Sequence, residues 1–250
     1  MAVHGEGREA RAARAWASII GCADGTPVTA GHVCRIARVA VGVDGVSLSL
    51  STGADSQSLV FATDEVARQV AELQFTLGEG PGVEAWSYGG TCLAADLSSP
   101  ATGARWPWFA PATVQAGARA VFAFPLQAGA IRLGTLDLYR AQSGPLTAEQ
   151  LADALTFAAA ALGVMLHTAH PQAGPAQEVQ PFGGMDESRA EVYQATGMIA
   201  VQLDASLAEA LLRLRAHAFA EGVGVAEIAR LVVARNLRFD PEDLSGDTGN

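Results

Sequence analysis

The sequence predicts an α+β domain followed by a small all-α bundle, and three observations carry that prediction. Along residues 27–170 the apolar spacing switches between a helical period and a strict alternation. Residues 171–185 begin PQAGPAQEVQPFGG, three prolines and three glycines with little periodicity, which marks a linker. Beyond it every apolar pattern is helical.

Composition limits what such a chain does. Half of the 250 residues are hydrophobic, enough for a sizeable core in one large or two smaller domains. The formal charge is −10, and all 16 basic residues are arginine. The lack of lysine excludes a Walker A phosphate loop and Schiff-base catalysis. The acidic balance argues against broad, non-specific nucleic-acid binding, but not against a small domain that reads one RNA shape. Within 205–239 five arginines face three acids, a mildly basic patch ahead of an acidic tail at 241–250. Cys22, Cys34 and Cys92 are widely spaced with no CxxC pair, which suits reduced thiols. No charge-free apolar run of 18 residues and no signal-peptide pattern stands out, so a cytoplasmic protein is expected.

The elements follow in order. Residues 1–26 are a lead-in: 1–7 carry no pattern, and Arg8 to Ile20 reads as a helix, either solvated or a nucleic-acid arm. A helix over 27–41 sets Val33, Ile36, Ala37 and Ala40 on one side. GVSLSLS (45–51) alternates Val46, Leu48 and Leu50 with serine, the pattern of a half-buried strand, and SLVFAT (58–63) is its neighbour. Residues 64–75 return to helical spacing. GEGPG (78–82) reads as a turn rather than a phosphate loop, because it follows a helix and not a strand. TCLAADL (91–97) is a short strand, and 104–116 fits one helix carrying Trp106, Trp108 and Phe109. ARAVFAFPLQ (118–127) and IRLGTLDLYR (131–140) make a hairpin across QAGA. Thr147 and Gln150 form a capping box for a long helix to His170. Strands clustered between helices predict one antiparallel sheet flanked by helices over 27–170.

The C-terminal region, 186–240, reads as three helices: Glu187 to Leu203, a second opened by the Ser206/Glu209 capping box, and a third over 225–238 stopped before Pro241. The first contains QATGMIAVQL, where Gly197 interrupts a good helix. A mid-helix glycine costs about 0.5–1 kcal/mol relative to alanine, so either a packed helix or a ligand approaches the backbone there.

These residues carry a resemblance. VYQATGMIAVQLDASLAEALLRLRAHAFAEGVGVAEIARLVVARNLRF (192–239) is similar to ANTAR domains, through its QATGM opening, its ALLRLRAHAF second helix and its VARNLRF close. Residues 27–167 resemble GAF domains through LQFTLGEGPG, RWPWFAP and AVFAFPLQAGAIRLGTLDLYR. The resemblance implies an RNA-binding transcription antitermination regulator of the actinobacterial type, with a GAF sensor or dimerisation domain at 27–170 and an ANTAR bundle at 186–240. It implies structured RNA (paired stem-loops) as partner, a homodimer, and RNA-binding roles for Tyr193, Gln194, Ala195, Thr196, Gly197, Arg213, Arg215, His217 and Arg230. Thr196, Val223 and Asn236 depart from positions that are often basic in the family. Those departures favour the alternative, a signalling protein whose bundle contacts another protein.

For a small-molecule ligand in the GAF-like domain, the candidate lining residues are Cys92, Trp106, Phe122 and Phe124, which serve equally well as core. Asp96 and Asp137 are a carboxylate pair only if the sheet brings them together. His32 with Cys34, and His167 with His170, are too sparse for a metal site, and no cofactor is implied. The sequence has no nucleophile elbow and no phosphoacceptor cluster, so no enzymatic activity is expected. The long helix 147–170 is the candidate for self-association; its Leu151, Leu155, Ala158 and Leu162 face either a second copy or their own sheet.

Overall fold

The computed structural model describes residues 3–53, 56–129, 131–168 and 187–240. The chain divides into two compact units, residues 1–177 and 178–250.

In the first unit five strands form one antiparallel sheet: β1 Gly45–Gly53, β2 Ser56–Ala62, β3 Cys92–Ala94, β4 Ala120–Ala128 and β5 Ile131–Arg140. Their order is β2-β1-β5-β4-β3, so β5 lies at the centre and β3 and β2 form the edges. One face is covered by α1 (Val3–Ala23), α2 (Ala30–Val41) and α7 (Ala148–Thr168). The other lies under α3 (Glu65–Leu77), α4 (Pro81–Tyr88) and α6 (Phe109–Gln115), with the short α5 (Pro100–Arg105) exposed beside α6. This is the expected α+β arrangement.

Strand alternation sorts the side chains. Leu48 of β1, Phe122 and Phe124 of β4, and Leu136 and Leu138 of β5 form the core beneath α2 and α7. Successive residues point to opposite faces, so Ser47, Ser49 and Ser51 turn the other way. The alternation of β1 by itself predicts a solvated serine side. All three serines are in fact buried, because the α3–α6 layer covers that face.

Two further expectations change. The lead-in helix is not solvated: Ala15 and Ile19 are buried in the core with α2 and α7, and Arg11 pairs with Asp153 of α7 at 2.7 Å. The single helix expected over 104–116 is two, because Pro107 keeps Trp106 out of the helical conformation (φ −134°, ψ 75°) and separates α5 from α6. Helix α7 is also long and apolar enough, by length and composition, to cross a membrane, although 39 % of its most apolar window is buried against the unit.

The second unit holds α8 (Glu187–Leu203), α9 (Leu207–Ala220) and α10 (Val225–Val233), which pack on one another. The Ser206 hydroxyl accepts from Glu209 N at 3.2 Å, and Glu209 accepts from Ser206 N at 3.0 Å, so the capping box forms as read. Ile199, Leu211, Leu214, Ile228 and Val232 are buried in the bundle. Helix α10 ends five residues earlier than expected: Arg235 takes a left-handed conformation (φ 60°), and the amides of Asn236 and Leu237 both return to the Leu231 carbonyl.

So small a bundle has little stability to lose. Replacing a buried leucine by alanine costs about 2–5 kcal/mol, comparable to the whole stability of a domain this size. Leu214→Ala is expected to unfold residues 187–240, read as loss of their dispersed amide signals by NMR, while signals from β1, β4 and β5 persist.

Candidate functional site

The covered polar face of the sheet is the most unusual feature of the first unit. Register places Ser47 opposite Asp137 and Ser49 opposite Thr135 on adjacent central strands, so four polar side chains form a square on one face. All are 3 % exposed or less. Above them Gln74 of α3 donates from Nε2 to Asp137 Oδ2 at 2.8 Å. The same amide accepts from Gly82 N, in the first turn of α4, at 2.5 Å.

The GEGPG run is shaped by this arrangement. Gly80 has φ +122°, and a Cβ there would press on Gln74 and Phe109. A Cβ at Gly82 would lie 2.7 Å from Asp137 Oδ2. The run is therefore a turn, as read, but its glycines serve the descent of α4 onto the polar square.

Among the described residues Ser49 Oγ, Thr135 Oγ1 and Asp137 Oδ1 have no hydrogen-bond partner of good geometry, although the Thr135 hydroxyl lies close enough to Asp137 to act on its charge. Leaving a buried polar group unpaired costs about 1–3 kcal/mol, so three together on one patch require an explanation. Burial pushes the Asp137 carboxyl up to about 6, while the Gln74 hydrogen bond and the adjacent Thr135 hydroxyl pull it the other way. No arginine makes a hydrogen bond or ion pair to it among the described residues. The square offers hydroxyls and a carboxyl that keeps its proton up to about pH 6, which is a set for hydrogen bonding.

The four residues expected to line a ligand pocket do not converge. Cys92 and Trp106 belong to the α3–α6 side, whereas Phe122 and Phe124 are buried on the α2–α7 side. Trp106 stacks edge-on against Phe109 at 6.1 Å and donates from Nε1 to Glu84 at 2.8 Å. Glu84 also binds the Arg105 guanidinium, which lies 4.7 Å above the Trp106 ring. Trp106 and Arg105 flank a cleft of about 210 Å³ beside β3, and Phe124 lies in another of about 260 Å³ beside α7. Burial raises the Cys92 thiol to about 11, which makes it a core thiol and not a reactive one. Asp96 and Asp137 do not meet: Asp96 is exposed and accepts from Ser98 N and Ser143 Oγ. Of the two histidine pairings, His32 bonds Thr29 while Cys34 is buried, and His170 lies outside the described residues. Among the described residues no cluster of three metal-ligating side chains occurs.

Sequence reasoning missed Gln74, Ser47, Ser49 and Thr135. The available signal was that SLSLS and GTLDL both alternate, so pairing them as central strands makes one polar face that helices must cover.

In the second unit the QATGM residues separate. Ala195 and Thr196 are buried, and Thr196 Oγ1 donates to the Val192 carbonyl at 2.7 Å, so neither side chain reaches the surface expected of it. Gln194 is exposed, while Tyr193 and Gly197 are half-buried. A Cβ at Gly197 would meet nothing within 4 Å. Close packing of α8 within the described structure is therefore not what keeps glycine there.

On α9, Arg213 and Arg215 lie two residues apart and so point to opposite flanks of the helix; both are half-buried. His217, on the Arg213 flank, stacks against Phe239 with centroids 5.2 Å apart. Arg230 pairs with Glu191 of α8 at 3.6 Å. Val223 and Asn236 are exposed. The structure thus gathers Arg213 with His217 but not with Arg215.

No family model matches the chain, and no curated protein matches its sequence. Similar solved structures include the GAF domain of a phosphoenolpyruvate-protein phosphotransferase from Coxiella burnetii, at 18 % identity and TM-score 0.49, covering 63 % of this chain and 94 % of that one. The GAF domain of the Acinetobacter phosphoenolpyruvate-protein phosphotransferase is 14 % identical with TM-score 0.47, over 64 % of this chain and 94 % of that one. The GAF-B domain of DevS from Mycobacterium smegmatis is 20 % identical with TM-score 0.40, over 54 % and 89 %.

The raised carboxyl has a sign that is open to measurement. Asp137 ionises in the unfolded chain near pH 4 but in the folded chain at about 6. Between these values the folded state binds more protons, so its stability falls as pH rises from about 4 to 6 and stays reduced above. A difference of two pH units corresponds to about 3 kcal/mol. Asp137→Asn keeps an acceptor for Gln74, turns an NH2 toward Ser49 and Thr135, and carries no charge. It is expected to stabilise the chain at pH 7 relative to pH 4, by up to about 3 kcal/mol more than wild type. Urea unfolding of both proteins at the two pH values checks this.

Proposed function

We propose that this chain is a two-domain regulator of transcription antitermination, with a GAF sensor in the first unit and an ANTAR-type RNA-binding bundle in the second. It acts without catalysis, in the cytoplasm, on paired RNA stem-loops. The observation that carries the reading is Gly197. Its cost to helix α8 is not offset by packing in the described structure, and it lies beside exposed Gln194 in the QATGM run that resembles ANTAR domains. A glycine kept open on a surface suits the close approach of a nucleic-acid backbone. Arg213 and Arg215 belong to the ALLRLRAHAF run of the same resemblance and are the cations assigned to phosphates. In the sensor, the square of Ser47, Ser49, Thr135 and Asp137 is the element that responds, to a hydrogen-bonding small molecule or to a proton.

A second reading has its own observation. The bundle exposes Val201 (85 %), Leu212 (64 %) and Phe219 (50 %), side chains that suit a protein partner more than phosphates.

Gly197→Ala separates the two. It is expected to stabilise α8 by about 0.5–1 kcal/mol and yet to weaken RNA binding. RNA crosslinked to the protein in its own cell and sequenced is expected to be rich in paired stem-loops before terminators. That enrichment is expected to fall with Gly197→Ala and with Arg213→Ala/Arg215→Ala. Removing one arginine–phosphate pair also lowers the salt dependence of binding by about one in log–log slope. No enrichment in wild type sinks the RNA reading and leaves the protein partner.

A further inference from the structure

In the second unit a mildly basic bundle runs directly into an acidic segment, and the structure fixes where that segment starts. Phe239 is buried: its ring stacks on His217 of α9 with centroids 5.2 Å apart, and its amide donates to Gln202 Oε1, near the end of α8, at 3.0 Å. Asp240 is exposed, and Pro241 behind it disfavours a helical conformation at that residue, so the chain leaves Phe239 extended. Residues 241–250, which lie outside the described residues, contain Glu242, Asp243 and Asp247 and no basic residue.

Four of the arginines in this unit are placed otherwise. Arg230 pairs with Glu191 at 3.6 Å, and Arg238 with Asp240 at 3.7 Å. Arg215 points to the flank of α9 away from His217, and Arg235 stands in the left-handed turn after α10. Arg213 lies one turn before His217 on the same flank, about 6 Å along the helix axis. Both side chains are half-buried, where charges are screened less than at the open surface. The acid beside Arg213 on α9, Glu209, is engaged as the helix cap: its Oε2 accepts from Ser206 N and from Ser206 Oγ. An extended chain advances about 3.3 Å per residue. Glu242 and Asp243 therefore reach about 10–13 Å from Phe239, enough to set both carboxylates beside Arg213.

We propose that residues 241–250 dock on the Arg213–His217 flank of α9, with Glu242 and Asp243 held against the Arg213 guanidinium. Tethering makes the contact effective. A segment joined to Phe239 meets its own bundle at an effective concentration of about the millimolar range, so a pairing too weak between separate molecules is populated within one chain. The docking stands on the charges of the second unit and does not depend on what that unit binds. Its consequence rests on the RNA reading above: a phosphate backbone reaches Arg213 only by displacing the acidic segment. Polyanions that offer charge alone are then turned away, while an RNA that also engages the rest of the bundle displaces the segment.

The test compares the full chain with its Glu242→Gln/Asp243→Asn/Asp247→Asn variant, which alters no residue of a helix or strand; Arg213→Gln identifies the Arg213 side-chain signal by NMR. At about 0.1 M salt, where the Debye length is about 10 Å, neutralising the acids is expected to shift the Arg213 Nε–H and His217 ring signals and to leave that of Arg230 in place. Raising salt to about 1 M, where that length is about 3 Å, is expected to move the wild-type signals the same way and to bring the two proteins together. No shift at Arg213, a shift at Arg235 or Arg238 in its stead, or a shift that grows with protein concentration (the segment of a second copy) overturns the docking. An RNA of two adjacent stem-loops is then expected to bind the neutralised variant at least about fivefold more tightly at the lower salt, with the difference lost at the higher. In an Arg213→Gln background the same neutralisation is expected to change affinity less than about twofold. An equal gain in both backgrounds is general loss of repulsion and overturns the displacement. Failure of every variant to bind this RNA sinks the RNA reading alone, because the NMR shifts have already decided the docking.

Discussion

Gln74 is the residue on which the covered face of the sheet depends. Its amide donates to Asp137 on β5 and accepts from Gly82 at the start of α4, so one side chain joins α3, α4 and the central strand. The layer around it is arranged by acceptors in the same manner. Glu79 accepts from the Trp108 and Phe109 amides at the start of α6, and Glu84 holds Arg105 and Trp106. Three carboxyl or amide groups thus satisfy the donors of helices too short to stand alone. The glycines at 80 and 82 are the steric consequence, since a methyl group at either would displace Gln74. Without Gln74, Asp137 and the Gly82 amide would be buried together without partners, the costly case for a polar interior.

Much of the first unit is legible in the sequence because its signals are local. The β4–β5 hairpin, the alternation of β1 and the capped start of α7 each follow from residues close together in the chain. The polar square is not, because it exists only once β1 and β5 pair, and SLSLS reads the same whether helices or water cover its serines. Gln74 is hidden for the same reason: its partner lies 63 positions away. The split of α5 from α6 is present in the sequence, in a proline set between two tryptophans, but aromatic residues at helical spacing outweigh it. Phe122 and Phe124 group with Cys92 and Trp106 by residue type, since all are large or soft. Register then sends Phe122 and Phe124 to the far side of the sheet.

In the second unit the difficulty is of another kind. A motif names positions, and a helix distributes them around its axis. QATGM spans more than one turn, so Ala195 and Thr196 face the bundle while Gln194 faces outward. The arginines of ALLRLRAHAF divide between two flanks for the same reason. Gly197 is informative because it violates helix propensity without a packing cause in the described structure. A locally costly residue with no compensation inside the fold points outside it.

The two layers of the first unit meet in β5. Asp137 faces the α3–α4 side, and its neighbours Leu136 and Leu138 are wholly buried on the side of α7. One strand therefore carries the polar square on one surface and part of the support for α7 on the other. Interiors at crystal-like density do not absorb a displaced side chain locally, so the square and the α7 layer are not free to adjust independently at this strand. The position of α7 on the sheet is fixed in turn by its buried stripe. That stripe keeps its seat only while β5 stays in register between β1 and β4. That requirement places the central strand, and the carboxyl it buries, under stricter constraint than any residue on the surface of the unit.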